Sequence, residues 1–367
     1  MFKNIYAGKK VIVTGHTGFK GGWLSLWLKL MGADVHGISN DIPTVPSLFI
    51  SATVDAQTKS YMEDIRDLGK MKNIFKEVQP DFVFHLAAQP IVKLAYEDPI
   101  GCMTTNIIGT ANILEALRGL ENECTAVMIT SDKCYDNVEW IWGYKETDAL
   151  GGKDPYSASK GGAELMIKTY FHSYFKKREN IKIASVRAGN VIGGGDWAAS
   201  RIVPDCFRAW SKREKVVIRS PYATRPWQHV LEPLSGYLRT AEMLAAPEKN
   251  MINGEAFNFG PPADQNHTVI DLLQELAKNW DENATEILQI EPSDFHEAGL
   301  LKLNIDKALH HLNWKPALNF LETASFTSEW YKAFYQQSNS GMLEFTNHQI
   351  QDYIQHAKSK NISWALN

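Results

Sequence analysis

The sequence predicts an α/β protein: a doubly wound parallel-sheet (Rossmann) domain that binds a dinucleotide, with a smaller C-terminal α/β lobe. Three observations carry this expectation. Short β-branched runs alternate with longer helical patterns through the first half of the chain, which implies parallel strands joined by crossover helices. Gly15, Gly18 and Gly21 stand in the turn between the first strand pattern and the first helix pattern. The 367 residues, 44% of them apolar, exceed what one compact core usually organises, so a second lobe follows.

In chain order, Val11 to Gly15 reads as a strand, a helix runs to Met31, and Val35 to Ile38 is the second strand. FVFHLAA from Phe82, a helix through Asn106 and Leu117, AVMIT to Thr130, a helix from Pro155 and IKIASVR to Arg187 continue the alternation. The pattern breaks at Gly193-Gly194-Gly195. Residues 1–192 are therefore expected to form the dinucleotide domain and 193–367 mainly the second lobe, with a return to the sheet around 225–260.

The formal net charge of −4, with acidic and basic residues interspersed, argues against wholesale binding to nucleic acid or an anionic membrane. Cys102, Cys124, Cys134 and Cys206 show no CxxC or metal-ligand spacing, and no metal site is expected. The start MFKNIYAGKK lacks the apolar stretch of a signal peptide, no apolar run approaches the length of a membrane span, and the stretch from Trp23 to Trp27 reads as a buried helix. These features predict a cytoplasmic protein with free thiols.

The turn Thr14-Gly15-His16-Thr17-Gly18-Phe19-Lys20-Gly21 lies where glycines let backbone amides approach a pyrophosphate at a helix N-terminus. Gly15, Thr17, Gly18, Phe19 and Gly21 are the candidate cofactor contacts. An acid that binds the ribose is expected about 20 residues onward. Asp41 follows the second strand and is at the correct edge, whereas Asp34 begins that strand. An acid there repels a 2′-phosphate, and Ser39-Asn40 offers no arginine to accept one, so NAD is preferred over NADP. Asp64 and Ile65 after the third strand are placed to contact adenine, and Leu86, Ala87 and Ala88 after the fourth to line the cofactor; packing is the competing role for each.

Asp154-Pro155-Tyr156-Ser157-Ala158-Ser159-Lys160 combines an N-cap, a proline in the first helical position, and a tyrosine and lysine one turn apart. A free phenol has a pKa of about 10, so ionising it near neutrality takes roughly 4 kcal/mol. A helix N-terminus supplies at most about 2 kcal/mol. Lys160 and a positive nicotinamide are therefore expected to contribute most of the shift. Ser131, at the end of the fifth strand, is positioned to hydrogen-bond a substrate hydroxyl.

Together TGHTGFKG, Asp64-Ile65, HLAAQ and YSASK resemble the extended short-chain dehydrogenase/reductase family. Within it, Thr130-Ser131-Asp132-Lys133-Cys134-Tyr135, Gly151 to Tyr156, Arg187 to Trp197 and Arg225-Pro226-Trp227-Gln228-His229-Val230 resemble the CDP-glucose 4,6-dehydratases. The resemblance runs from the first strand to about Pro316.

It implies a redox-neutral reaction on a nucleotide-sugar, CDP-glucose or a relative, in the service of deoxysugar (lipopolysaccharide O-antigen) synthesis. Tyr156 takes the proton of the 4-hydroxyl as hydride leaves C4 for NAD⁺, the ketone acidifies C5–H, water leaves from C6, and the hydride returns to C6. The elimination needs an acid and a base, and Asp132 and Lys133 are the polar pair beside Ser131. Asp132 is read as the proton donor. In the related dTDP-glucose dehydratases the second position is glutamate, whereas here it is Lys133; base at C5, a cation that stabilises the enolate, and a surface lysine all stay open.

Arg187 and Asn190 are expected to face the catalytic edge. Arg201, Arg208, Arg219 and Arg225, whose planar forks suit a diphosphate, and His229 complete the candidate substrate contacts. Assembly as a homodimer or homotetramer through the helices of Asn106 and Tyr156 is implied by the resemblance. A nucleotide-sugar 4-epimerase shares the glycine turn and the Tyr-Lys pair but needs no elimination pair, so Asp132-Lys133 argues against it; a non-catalytic NAD-sensing protein would have no need of Tyr156 and Lys160.

Overall fold

The computed structural model describes residues 1–199, 201–218, 220–246, 252–281, 284, 288–290, 300–336 and 341–366. Its centre is a seven-stranded, all-parallel sheet: β1 (Lys10–Thr14), β2 (Asp34–Ser39), β3 (Lys59–Met62), β4 (Phe82–His85), β5 (Cys124–Ile129), β6 (Ile181–Ala188) and β7 (Ala256–Phe259). They lie in the order β7-β6-β5-β4-β1-β2-β3. This is the doubly wound architecture that the alternating pattern predicts. The central strands are apolar along their length because helices cover both faces, so neither face alternates toward solvent. Strand order reverses between β1 and β4, which opens a crevice at their carboxyl ends.

Local signals set the helix starts around that crevice. Asp154 accepts from the Ser157 N–H at 3.0 Å and Pro155 fills the first position of the helix Pro155–Tyr170. Asp67 caps the helix Leu68–Val78 in the same way. The helix carrying Asn106 is interrupted by a π turn at Thr104–Ile108, between Pro99–Met103 and Gly109–Arg118.

After β6 the chain leaves the sheet and returns at β7. Between them come the helices Ile202–Ser211 and Leu231–Ala245, with Leu231–Ala245 packed against β5 and β6. The smaller lobe holds short ladders: Val191–Ile192 with Gln228–His229, Thr224–Arg225 with His267–Thr268, and Val216–Ile218 with Leu288–Ile290. The final helices, Phe320–Gln336 and Met342–Ser359, press aromatic residues back onto the first domain. Trp27 of the first helix (Phe19–Leu30) meets the Tyr353 ring edge-on at 5.7 Å, and Trp23 Nε1 donates to the Gly194 carbonyl at 2.9 Å. Both tryptophans are fully buried, and no described helix is long and apolar enough to cross a membrane.

Candidate active site

The glycine turn is built by close backbone approach. Gly15 has φ +77°, and a Cβ there would lie 2.9 Å from the Ala87 nitrogen. At Gly21 a Cβ would stand 2.0 Å from the Gly15 carbonyl oxygen, so the helix can follow the strand this tightly only without a side chain. Gly18 is the N-cap of Phe19–Leu30 and supplies no side-chain cap, which leaves first-turn N–H groups to an anion. This cradle fits a dinucleotide pyrophosphate.

Around it, Thr17 Oγ1 donates to the Asp41 carbonyl at 2.7 Å, which ties the exposed Asp41 loop to the turn. His16 is buried with its ring nitrogens against Ser39 Oγ (2.9 Å) and Ser60 Oγ (3.0 Å); burial takes its pKa down to about 4, so it stays neutral. The Ala87 N–H donates to Thr14 Oγ1 at 3.1 Å, Leu86 continues from β4, and Ala88 is half-buried. Asp64 is held by Arg66 in a forked ion pair (2.6 Å) that keeps its carboxyl below the usual range, and Ile65 is buried beneath Gly109. Phe19 lies half-buried beside Gly193.

At the end of β5, Ser131 caps a single helical turn, Asp132–Cys134. Its hydroxyl accepts from the Lys133 N–H at 3.2 Å and donates to Asp132 Oδ1 at 2.9 Å. Asp132 is 4% exposed, and the other face of its carboxylate lies against Gly189, where a Cβ would be 2.1 Å from Oδ2. Lys133 is half-buried. Ser131, Asp132, Tyr156 and Lys160 are all buried, and the turn Asp132–Cys134 packs against the helix Pro155–Tyr170.

The phenol of Tyr156 is pushed up to about 12, first by burial and further by the Asp132 charge. Opposing these are a hydrogen bond with the Ser131 hydroxyl and the positive field of Arg201. The sequence assigns that cationic part to Lys160. Lys160 is itself buried, which takes its pKa down to about 8, with Cys102, Cys134 and Glu164, one turn along the same helix, acting in the opposite direction. Asn106, in the π turn, donates to Ser159 Oγ (2.8 Å) and the Gln89 carbonyl (3.1 Å), which locks the Tyr156 helix to the segment after β4.

Arg187, expected to face the catalytic edge, and His229, expected to touch the substrate, are both enclosed in the core. Arg187 lies within β6 and is 3% exposed, its fork engaged by both Glu164 oxygens (2.8 and 2.9 Å), with Nη1 donating to Tyr135 Oη at 2.6 Å. It is a core cation rather than a diphosphate ligand, since a buried carboxylate already fills its fork. His229 is fully buried between Trp23 and Phe326, rings edge-on at 5.9 and 5.6 Å, and burial takes its pKa down to about 3. That position puts it in the aromatic core, not on a nucleotide-binding wall.

Of the remaining candidates, Arg201 pairs with Asp196 at 2.8 Å beside the Tyr156 cluster. Arg208 points to Asp205 (2.6 Å) and the Trp197 carbonyl (3.0 Å), and Arg225 Nη1 donates to the Thr224 carbonyl at 2.8 Å. Asn190 has φ +39° at the turn into Val191–Ile192. Arg219 lies outside the described residues.

Lys20, half-buried in the first turn of the helix Phe19–Leu30, is a residue that the sequence does not single out. Burial takes its pKa down to about 8, and it interacts electrostatically with Arg201, Asp132, Lys160 and Asp196. A signal was present: a cation in the first turn of a helix opposes the helix dipole and needs a reason to be there.

Comparison with known proteins agrees with this geometry. The chain is 46% identical over 356 residues to the CDP-glucose 4,6-dehydratase of Salmonella typhimurium, covering 96% of this chain and 98% of that protein. It is 24% identical to the dTDP-glucose 4,6-dehydratase of Shigella flexneri, over 88% and 93% of the two chains. Among solved structures, the UDP-glucose 4-epimerase of Thermus thermophilus in complex with NAD superposes with a TM-score of 0.74 at 25% identity, covering 88% of this chain and 99% of that one. Residues 12–327 match the family model described as GDP-mannose 4,6 dehydratase, and the chain belongs to that family.

Proposed function

We propose that this chain is an NAD-dependent CDP-glucose 4,6-dehydratase, a hydro-lyase that converts CDP-glucose to CDP-4-keto-6-deoxyglucose for deoxysugar (O-antigen) synthesis in the cytoplasm. When bound, NAD⁺ supplies the acceptor for the C4 hydride and the donor that returns it to C6. The turn at Gly15, Gly18 and Gly21 holds its pyrophosphate, with Asp41 toward the ribose, Asp64 and Ile65 toward adenine, and Leu86 to Ala88 along its side. Tyr156 takes the proton of the 4-hydroxyl, which Ser131 orients. Asp132 gives a proton to the departing C6 oxygen, and Lys133 acts as base at C5. Asn190, Arg201 and Arg225, with Arg219 and Arg208, are assigned to the nucleotide diphosphate side.

The observation that carries this reading is the buried Asp132 carboxyl, joined at 2.9 Å to Ser131 on a turn that packs against the Tyr156 helix. Oxidation at C4 alone, as an epimerase performs it, has no use for an acid at that point. Mass spectrometry of CDP-glucose incubated with the protein and NAD⁺ should show loss of one water without net oxidation. An unchanged mass with CDP-galactose appearing would establish the epimerase instead.

The homodimer reading is supported by exposed apolar residues on the helices near the site, Leu94, Tyr96, Ile100 and Ile108 with Leu165 of the Tyr156 helix. Elution of the purified protein at the monomer mass would overturn it.

A further inference from the structure

The dehydratase reading places its working groups on two separate pieces of chain. Tyr156 and Lys160 stand on the helix Pro155–Tyr170, while Ser131, Asp132 and Lys133 belong to the turn at the end of β5. One hexose has to meet both, its 4-hydroxyl at Tyr156 and its C5 and C6 at Asp132 and Lys133, so the spacing between helix and turn has to be fixed. Asp154 sets where the helix begins and Ser131 caps the turn, but each of those bonds stays within its own element.

A buried ion pair joins the two. Glu164 lies one turn beyond Lys160 on the helix, is 4% exposed, and has both carboxylate oxygens filled. Thr130 Oγ1 and Arg187 Nε donate to Oε1, the arginine at 2.8 Å, and Ser185 Oγ and Arg187 Nη2 donate to Oε2 at 3.0 and 2.9 Å. The remaining arm of the guanidinium, Nη1, donates to Tyr135 Oη at 2.6 Å, and that hydroxyl donates onward to Asn258 Oδ1 at 2.8 Å. Thr130 is the residue immediately before Ser131, and Tyr135 the residue immediately after Cys134. From one point on the helix the pair therefore grips the turn at both ends, its start directly and its end through the planar fork. Stability alone does not call for charges here, since apolar side chains of similar volume often hold a core equally well. Apolar contacts can slide, whereas this carboxylate carries a directed bond on each of its acceptor sites.

Resting on the dehydratase reading above, we propose that Glu164 and Arg187 are positioning residues of the reaction. Their ion pair sets the distance from Tyr156 to the Asp132-Lys133 turn, so that one bound hexose is oxidised at C4 and loses water across C5 and C6 without shifting. Both charges act from the core, through their contacts with Thr130 and Tyr135. The two ends of the turn serve different parts of the reaction: Thr130 adjoins Ser131, which orients the 4-hydroxyl, and Tyr135 lies on the side of Lys133, the base at C5. Loosening the first end disturbs oxidation and elimination alike, and loosening the second disturbs elimination.

The test leaves both charges in place and cuts one contact at a time, comparing Tyr135→Phe, Thr130→Val and Thr130→Ser with wild type in single turnovers of CDP-glucose. Removal of the C4 hydrogen is read by nicotinamide absorbance, loss of water by mass spectrometry, and folding by the melting temperature. Tyr135→Phe should lose water about tenfold more slowly, a displacement of about 1 Å being enough for about a hundredfold, while C4 oxidation stays within about threefold and reduced nicotinamide accumulates. Thr130→Val should slow both steps by about tenfold, and Thr130→Ser, which keeps the hydroxyl, should run at the wild-type rate. A merely structural pair would lower the melting temperature and the fraction of active protein but leave the rate constants of that fraction unchanged. That result, wild-type rates in Tyr135→Phe and Thr130→Val, or a Thr130→Ser as slow as Thr130→Val, overturns the proposal. Failure of the underlying reading is seen separately: wild-type protein that oxidises C4 and never releases water refutes the dehydratase assignment before any variant is compared.

Discussion

Replacing Gly189 by alanine tests whether the position of the Asp132 carboxylate matters to the chemistry. A Cβ there would lie 2.1 Å from Oδ2 and 2.5 Å from Cγ of Asp132. Restoring ordinary contact requires the carboxylate to retreat by roughly 1.4 Å, given that packed atoms approach to about 3.5 Å. It has little room to do so, since it is buried and Oδ1 is held by Ser131 at 2.9 Å. A misplacement of about 1 Å in a reacting group costs on the order of 100-fold, or about 2.7 kcal/mol of barrier. Gly189→Ala should therefore slow the loss of water, read by mass spectrometry, by about that factor. Removal of the C4 hydrogen, followed through nicotinamide absorbance in a single turnover, should change by less than about threefold, because the atoms that a Cβ at Gly189 meets first all belong to Asp132. The melting temperature serves as the control for folding. Wild-type dehydration in the variant, or equal loss of both steps, would refute the placement of Asp132 as the elimination acid.

Lys133→Met should permit oxidation at C4 yet abolish exchange of C5 hydrogen with solvent deuterium, followed by mass spectrometry; undiminished exchange excludes Lys133 as the base. Arg187→Met leaves Glu164 charged and buried without its partner, and should cost about 3–5 kcal/mol in urea unfolding, with part of the loss recovered by adding Glu164→Gln. Glu232 is buried beneath the Ala317 and Leu318 N–H groups and Tyr353, and burial pushes its pKa up to about 7 from an ordinary 4.5. The folded chain then keeps a proton that the unfolded chain sheds. The sign follows: this contribution to stability is present below about pH 4.5 and is lost as pH rises to about 7, by roughly 3 kcal/mol in all. Urea unfolding of Glu232→Gln across that range should lack the slope that wild type shows, and parallel curves would contradict it.

What the sequence makes legible is local. The Asp154-Pro155 start of the catalytic helix and the glycine turn are written in consecutive residues, because caps and tight turns act within a few positions. Arg187 is misread from sequence because its partner, Glu164, lies on another element; along the chain only a lone arginine near a strand end is visible. His229 is misread for the same reason, its cage being made of Trp23 and Phe326 from opposite ends of the chain. The π turn at Thr104–Ile108 carries no local mark, and its Asn106 finds Gln89 and Ser159 only after folding. In the second lobe, ladders of two or three residues owe their existence to the partner strand, so propensity has nothing to read.

The charges of the candidate site set what it takes for Tyr156 to serve as the proposed base. Burial pushes three of these side chains toward their neutral forms: Lys160 and Lys20 come down to about 8, and Tyr156 goes up to about 12. Near pH 7 the lysines still hold their charge, by about one unit, while the phenol keeps its proton by about five, or roughly 7 kcal/mol. The free chain therefore presents a protonated tyrosine in the positive field of Arg201. The energy to ionise Tyr156 has to come from what binds there, and an added positive charge supplies it while an added negative charge withholds it. Because Asp132 also opposes ionisation, neutralising Asp132 favours the phenolate.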